Sequence, residues 1–356
     1  MPFIAQLEPD ALLEAFLARP PTDFVAERSQ QGMPVFVAQF DLSTTADVKL
    51  QRFLAMLPLY ERWKRVLTWR VCFVGSTVTE YAPLPPGVAP AATVEGLLDA
   101  YGDRCRLLIV KDIAWESPLL LDADNAYAKA FAESCERKGF VLLEGQALAW
   151  VLMDFASEDE YLARLSYGRR KNIRRKLRSR SGLDIEAVPA GDSRFFDPVL
   201  LAAFYGLFEN VYAQSRVHFD HLTREFLRDL LQDRSSGGVV FIYNHAGTMI
   251  GWNLCYVFGG KLLDKYMGMA YPDARMFNLY FVSWMHNLRY ALEHGLSHYV
   301  AGWTDPEVKS FLGARMTFTR HAVYARNPAL RWLLRRVRHQ FEQDSRLHHE
   351  IASSNG

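Results

Sequence analysis

The stretch that decides the fold spans residues 239–313. It opens as VVFIYNHAGTMIGWNLCYVFGGKLLDKYMGMAYPDA (239–274), continues as FNLYFVSWMHNLRYALEHGL (277–296) and closes as SHYVAGWTDPEVKSFLG (297–313). Apolar runs broken at His245-Ala246-Gly247 and Gly259-Gly260 predict three strands, over 239–245, 248–257 and 261–269. Leu279, Val282, Met285, His286, Arg289, Tyr290 and Glu293 recur at helical spacing, which predicts a helix over 277–293 stopped by Gly295. Residues 298–301 predict a short strand. Antiparallel strands, a helix and another strand make an α+β layout in which helices cover one sheet face.

Around this block lie enough residues for two domains with real cores, since the chain has 356. Half the residues are hydrophobic and 13% are aromatic, which excludes general disorder. With 41 basic against 40 acidic residues the net charge is only +1, so any nucleic-acid or polyanion surface must be local. Cys72, Cys105, Cys135 and Cys255 are far apart and form no CxxC pair, which speaks against structural zinc and against a disulfide framework. The N-terminal MPFIAQLEPDALLEAF has early acidic residues and no long apolar core, unlike a signal peptide. No uncharged apolar run approaches the roughly 18–20 residues that cross a bilayer. A cytoplasmic location is expected.

Ahead of the block, the pattern predicts helices over 10–18, 50–56, 60–66, 94–101 and 123–138. Strands are expected over 35–40, 68–74, 105–110, 140–144 and 149–153, with Lys111-Asp112 ending the third of them. The prolines between 75 and 90 predict a loop. Ser157-Glu158-Asp159-Glu160 opens a helix whose first turn is acidic, and the helix is expected to run to Gly182. A strand over 183–188 and helices over 193–214 and 223–231 follow. After residue 313 come a strand over 316–324 and a terminal helix over 331–349. That helix has Leu333, Leu334, Val337 and Phe341 on one side and Arg331, Arg335, Arg336 and Arg338 on the other.

Chemistry is sparse. His218 and His221, with Asp220 between them, could bind zinc, but no HExxH helix or cysteine pair completes a site. Histidines capping the helix at Thr223 are the simpler reading, so no metal is expected. No GxSxG elbow, GxGxxG fingerprint or P-loop is present. Eight of the twelve residues from Arg169 to Arg180 are basic. Like charges at i,i+4 each cost a few tenths of a kcal/mol unless an anion meets them. Three readings stay open: a solvated basic face, an RNA contact, and a grip on one polyanionic ligand.

A basic YGRRKNIRRKLR helix after an acidic helix start, a Gly-Leu-Asp-Ile-Glu strand, two helices, and a strand–strand–helix–strand block ending in KSFLG (309–313) occur in this order. This order resembles the Fem-like (FemAB-related) branch of the GNAT acyltransferases. The match is good over about 155–328 and rests on analogy over 1–150. The resemblance implies two GNAT-like domains, each a mixed, mostly antiparallel sheet flanked by helices. These are an N-terminal domain over 1–150 and an acyltransferase domain over 151–328, with a basic helix and tail over 329–356.

It also implies an N-acyltransferase that carries an acyl or aminoacyl group from acyl-CoA, acyl carrier protein or aminoacyl-tRNA to an amine, with no permanently bound cofactor. All three donors are polyanions, which suits the basic helix. Lys309 matches the lysine of the family's terminal motif. Asp264 is the expected proton acceptor and Tyr266 the donor to the leaving group. Arg170, Lys171, Arg174, Arg175, Asn253 and Tyr280 are expected to bind the donor, with Asp305 at the mouth. One departure stands out: the glycine-rich pyrophosphate loop of simple GNAT enzymes is absent between Ala270 and Phe277, where the sequence is YPDARM. The alternative from a different class is a non-catalytic RNA-binding protein using 169–180. The terminal helix over 331–349 offers a peripheral membrane contact.

Overall fold

A computed structural model describes residues 3–41, 68–215 and 218–337. The elements run α1 (Asp10–Ala18), β1 (Val25–Arg28), β2 (Pro34–Asp41), β3 (Thr68–Val74), α2 (Pro90–Tyr101), β4 (Leu107–Ala114), α3 (Asp122–Arg137) and β5 (Val141–Leu152). Next come α4 (Glu158–Ala163), α5 (Tyr167–Leu177), β6 (Asp184–Pro189), α6 (Pro198–Gln214), α7 (Arg224–Gln232), β7 (Gly238–His245), β8 (Thr248–Phe258) and β9 (Lys261–Met269). The chain closes with α8 (Asp273–Met276), α9 (Leu279–Glu293), β10 (His298–Gly302), α10 (Pro306–Leu312), β11 (Arg315–Ala325) and α11 (Pro328–Val337). The class is α+β, as expected.

Two compact units share these elements. The first holds Met1–Gln6, Phe16–Ala147 and Thr317–Gly356, and the second Leu7–Ala15 and Leu148–Met316. The main division falls between Ala147 and Leu148, within β5, and the chain returns to the first unit between Met316 and Thr317, inside β11. Strand order in the first unit is β1-β2-β3-β4-β11, and only β3 and β4 lie parallel. In the second it is β5-β10-β9-β8-β7-β6, and only β9 and β10 lie parallel.

The second unit's meander follows directly from its turns. Ala246 and Gly247 both have positive φ (48 and 77), as do Gly259 and Gly260 (54 and 71). Two consecutive left-handed residues make the tight hairpin loop whose twist matches the strands. Above this sheet α9 buries Val282, Met285, Leu288 and Ala291 against Phe241, Tyr243 and Cys255.

Several expectations need correction. Lys111-Asp112 does not end a strand: β4 runs through it as a bulge, two residues facing His321 alone between the Val110–Ala322 and Ile113–Arg320 pairs. The strands expected over 140–144 and 149–153 are one strand, β5. The long helix after Ser157 is two helices and a 3-10 turn, because Ser166 is extended (ψ 153) and starts α5 afresh. The helix expected over 193–214 begins at Pro198, since the residue before a proline is pushed out of the helical region and Asp197 caps the new start. β1, α8 and α10 had no counterpart in the sequence reading. The helices expected over 50–56 and 60–66, and the terminal helix beyond residue 337, lie outside the described residues.

Candidate active site

The candidate site lies where β9 and β10 part. Their parallel ladder pairs His298 with Lys261, Tyr299 with Leu262 and Val300 with Leu263, and then stops. Immediately beyond, β10 bulges at Ala301, and Gly302 (φ 77) takes a conformation that a side chain would strain. Asp264 is the first residue of β9 past the ladder. Its Oδ1 accepts a hydrogen bond from Asn253 Nδ2 at 2.7 Å. Its Oδ2 accepts from Tyr299 Oη at 2.7 Å and from Asn287 Nδ2 at 3.2 Å. Asn287 also donates to Asn253 Oδ1 at 2.9 Å, so β8, β9, β10 and α9 meet in one network. Asn253, Asn287 and Tyr299 are buried. Burial, and after it the Asp264 charge, hold the Tyr299 hydroxyl far above its usual pKa, so it stays a donor.

Tyr280 stands half-buried at the start of α9. Burial first, and then the Asp264 and Asp305 carboxylates, push its pKa up, so it too remains protonated. Tyr266 goes elsewhere. The register shift between Leu254–Tyr266 and Cys255–Asp264 makes Lys265 an extra residue, and this turns Asp264 and Tyr266 to opposite sides. The Tyr266 ring lies edge-on to Phe226 of α7 at 5.9 Å. Lys265 Nζ reaches buried Glu8 at 3.1 Å.

Lys309 comes from α10. Its ammonium is buried and donates to the Ala301 carbonyl at 2.6 Å, beside the Gly302 bulge. The C-terminal carbonyls of α10 would be orphans without partners. Arg169 Nε donates to Phe311 O at 2.8 Å and its Nη2 to the Ser310 and Phe311 carbonyls, while Tyr161 Oη donates to Leu312 O at 2.5 Å. The first arginine of the basic helix thus places the lysine motif.

The other basic residues divide by role. Arg170 Nη1 lies 3.3 Å from Ala163 O and 3.4 Å from Leu165 O, capping α4. Arg174 pairs with Asp159 at 2.8 Å. Lys176 lies 3.4 Å above the Phe281 ring, and burial lowers its pKa. Lys171, Arg175 and Arg178 are exposed, share one side at i, i+4 and i+7, and have no ion pair among the described residues. His221 Nε2 lies 2.7 Å from Glu209 and His218 Nε2 bonds to Ser215 O at 2.6 Å, both rings against Tyr212. Thr223 itself caps α7. Asp305 is exposed, with φ 52, at the start of α10.

In place of a glycine loop between β9 and α9 stands α8. The amides of Met276, Phe277 and Asn278 donate to the carbonyls of Pro272, Asp273 and Arg275. These N–H groups are committed internally and do not form a pyrophosphate cradle.

The first unit repeats the layout within itself. The β3–β4 ladder stops after Val74–Val110, the bulge follows at once, and Asp112 carries the positive φ (58). Lys111 Nζ donates to Ser76 O at 2.8 Å and pairs with Asp112. Each unit therefore sets a lysine ammonium on a carbonyl close to where its parallel strands separate. The Asp112 amide donates to His321 Nδ1 at 3.0 Å, and burial keeps that imidazole neutral.

Of the residues expected at a site, Asp264, Asn253, Lys309 and Tyr280 gather near the parting of β9 and β10. Arg170, Lys171, Arg174 and Arg175 lie on α5, and Tyr266 faces away. Asn287 and Tyr299 escaped the sequence reading. Their only signal was a polar residue on the buried side of a helix and a tyrosine in an apolar strand.

A family model described as FemAB-like, peptidoglycan biosynthesis/recognition, matches residues 120–353. No curated protein matches the sequence. Among solved structures, L-PGS from Bacillus licheniformis is similar at 12% identity, covering 93% of this chain and 97% of that one with a TM-score of 0.53. FemX is similar at 12% identity, covering 92% and 94%, with a TM-score of 0.52. At such identities the likeness is one of fold.

Proposed function

The chain belongs to the FemAB-like family, described by peptidoglycan biosynthesis/recognition, and from that premise we propose that it moves an aminoacyl or acyl group from a polyanionic carrier to an amine, using the second unit. The observation that carries this reading is the Asp264 carboxylate, held by neutral donors at the parting of β9 and β10. In the proposed step the amine nitrogen attacks the carbonyl carbon of the donor ester or thioester. Asp264 takes the proton that the nitrogen sheds, the C–O or C–S bond breaks, and the Tyr280 hydroxyl supplies a proton to the leaving oxygen or sulfur. Lys309 holds the Ala301 bulge in place. Tyr280, half-buried at the start of α9, takes the role expected of Tyr266, whose ring packs on Phe226 instead.

The carrier is gripped by Lys171, Arg175 and Arg178. Because the amides at 276–278 are used internally, the arrangement favours aminoacyl-tRNA or acyl carrier protein over free coenzyme A. Purified protein is incubated with charged tRNA, acyl carrier protein or acyl-CoA and a set of amines, and transfer is measured. Asp264→Asn is expected to lower kcat by about a hundredfold or more, the usual contribution of a positioned base. Lys171→Gln, Arg175→Gln and Arg178→Gln together raise KM for the carrier and flatten its salt dependence. Full transfer by Asp264→Asn sinks the site. RNA retention without transfer to any amine favours the RNA-binding alternative.

A further inference from the structure

One element of the first unit turns the wrong face outward for a helix that only closes a core. Helix α11 contains Arg331, Arg335 and Arg336 and no acidic residue. Trp332 is 62% exposed and Leu333 47% exposed, with Ala329 exposed beside them. Leu330, Arg331 and Leu334 are the half-buried side. Arg331 fastens the helix by lying 4.9 Å over the Tyr324 ring of β11. The outer face is thus an apolar centre of Ala329, Trp332 and Leu333, flanked by the exposed Arg335 and by Arg336, whose guanidinium lies 5.7 Å over the Trp332 ring.

One exposed apolar residue is ordinary, but Ala329, Trp332 and Leu333 together make a contiguous apolar patch rimmed by charge, which marks an interaction surface. A protein partner of ordinary composition would need acidic groups to meet the arginines. An anionic lipid surface supplies both needs at once. Indoles settle at the headgroup level, and arginine stems lie along the apolar layer while their heads reach lipid phosphates. We propose that α11 is a membrane-docking face that lays the first unit on an anionic bilayer, with Trp332 and Leu333 inserted and Arg335 and Arg336 on headgroup phosphates. This holds whatever the donor, because none of these residues belongs to the Asp264 site.

The test is sedimentation of the full chain with vesicles of phosphatidylcholine alone or with one-third phosphatidylglycerol, at low and high salt. Binding is expected only to the anionic vesicles and is expected to fall as salt screens the arginines. Arg335→Gln with Arg336→Gln should weaken it roughly twenty-five-fold, at about a factor of five per charge near an anionic surface. Trp332→Ser with Leu333→Ser should abolish binding while the melting temperature and transfer activity stay unchanged. Equal uptake by neutral vesicles, no uptake by either kind, or full uptake by either double variant overturns the proposal. Capture of RNA in place of vesicles overturns it too.

Discussion

Replacing Tyr299 by phenylalanine removes one oxygen atom from the Asp264 network. That oxygen donates to Asp264 Oδ2 at 2.7 Å and accepts from Asn287 Nδ2 at 3.1 Å, in a buried setting. A hydrogen bond to a charged group contributes about 1.5–3 kcal/mol, and a stranded buried donor adds to the cost. Tyr299→Phe should therefore destabilise by about 2–3 kcal/mol, read as a lower urea midpoint with an unchanged m value. The decisive quantity is the coupling with Asp264→Asn. If the hydroxyl serves the carboxylate charge, its contribution falls to that of a neutral bond once Asp264→Asn is in place, roughly half as strong. The double-mutant cycle should then show a coupling of about 1 kcal/mol. Additivity within about 0.3 kcal/mol would mean that the two groups act independently. In that case Tyr299 is core packing, and Asp264 is not held as a charge.

Gly313 has φ 108, and a Cβ there would stand 2.7 Å from Tyr161 Oη. Gly313→Ala should cost about 2 kcal/mol or more in thermal or urea unfolding and should loosen Lys309 with it. Arg169→Gln should cost about 2 kcal/mol by uncapping α10 and should lower kcat, whereas Arg174→Gln, whose ion pair is exposed, should leave both within error. His286 has both ring nitrogens buried with no hydrogen-bond partner among the described residues, and burial, with Arg180 and Arg289 nearby, brings its pKa from 6.5 down to about 4. The unfolded chain takes up that proton first, so stability is full above about pH 6.5 and is lost as pH falls towards 4, by about 3 kcal/mol. His286→Leu should flatten this slope in urea titrations across that window. An unchanged slope would assign it to other groups.

The strands of the second unit were readable because each ends in residues that only turns accommodate. Ala246-Gly247 and Gly259-Gly260 punctuate the meander, and the periods between them are unmistakable. The break at Ser166 was not readable, because the apolar seam of Leu162, Leu165, Ile173 and Leu177 continues across it. At the break Arg170 turns back onto the carbonyls of Ala163 and Leu165, while Arg169 reaches the carbonyls of α10. Lys111-Asp112 misled for a related reason. Two charged residues normally end a buried strand, but here a bulge, His321 and Ser76 satisfy them.

By itself the sequence determined most of the order of the elements and the density of positive charge on α5, since these depend on local periodicity and residue type. Only the tertiary structure decided which groups face one another. One extra residue at Lys265 turns Tyr266 away from Asp264, and the partners that hold the carboxylate, Asn253, Asn287 and Tyr299, come from three separate elements. Side-chain direction in a strand reverses with every inserted residue, and a bulge leaves no mark in composition or spacing.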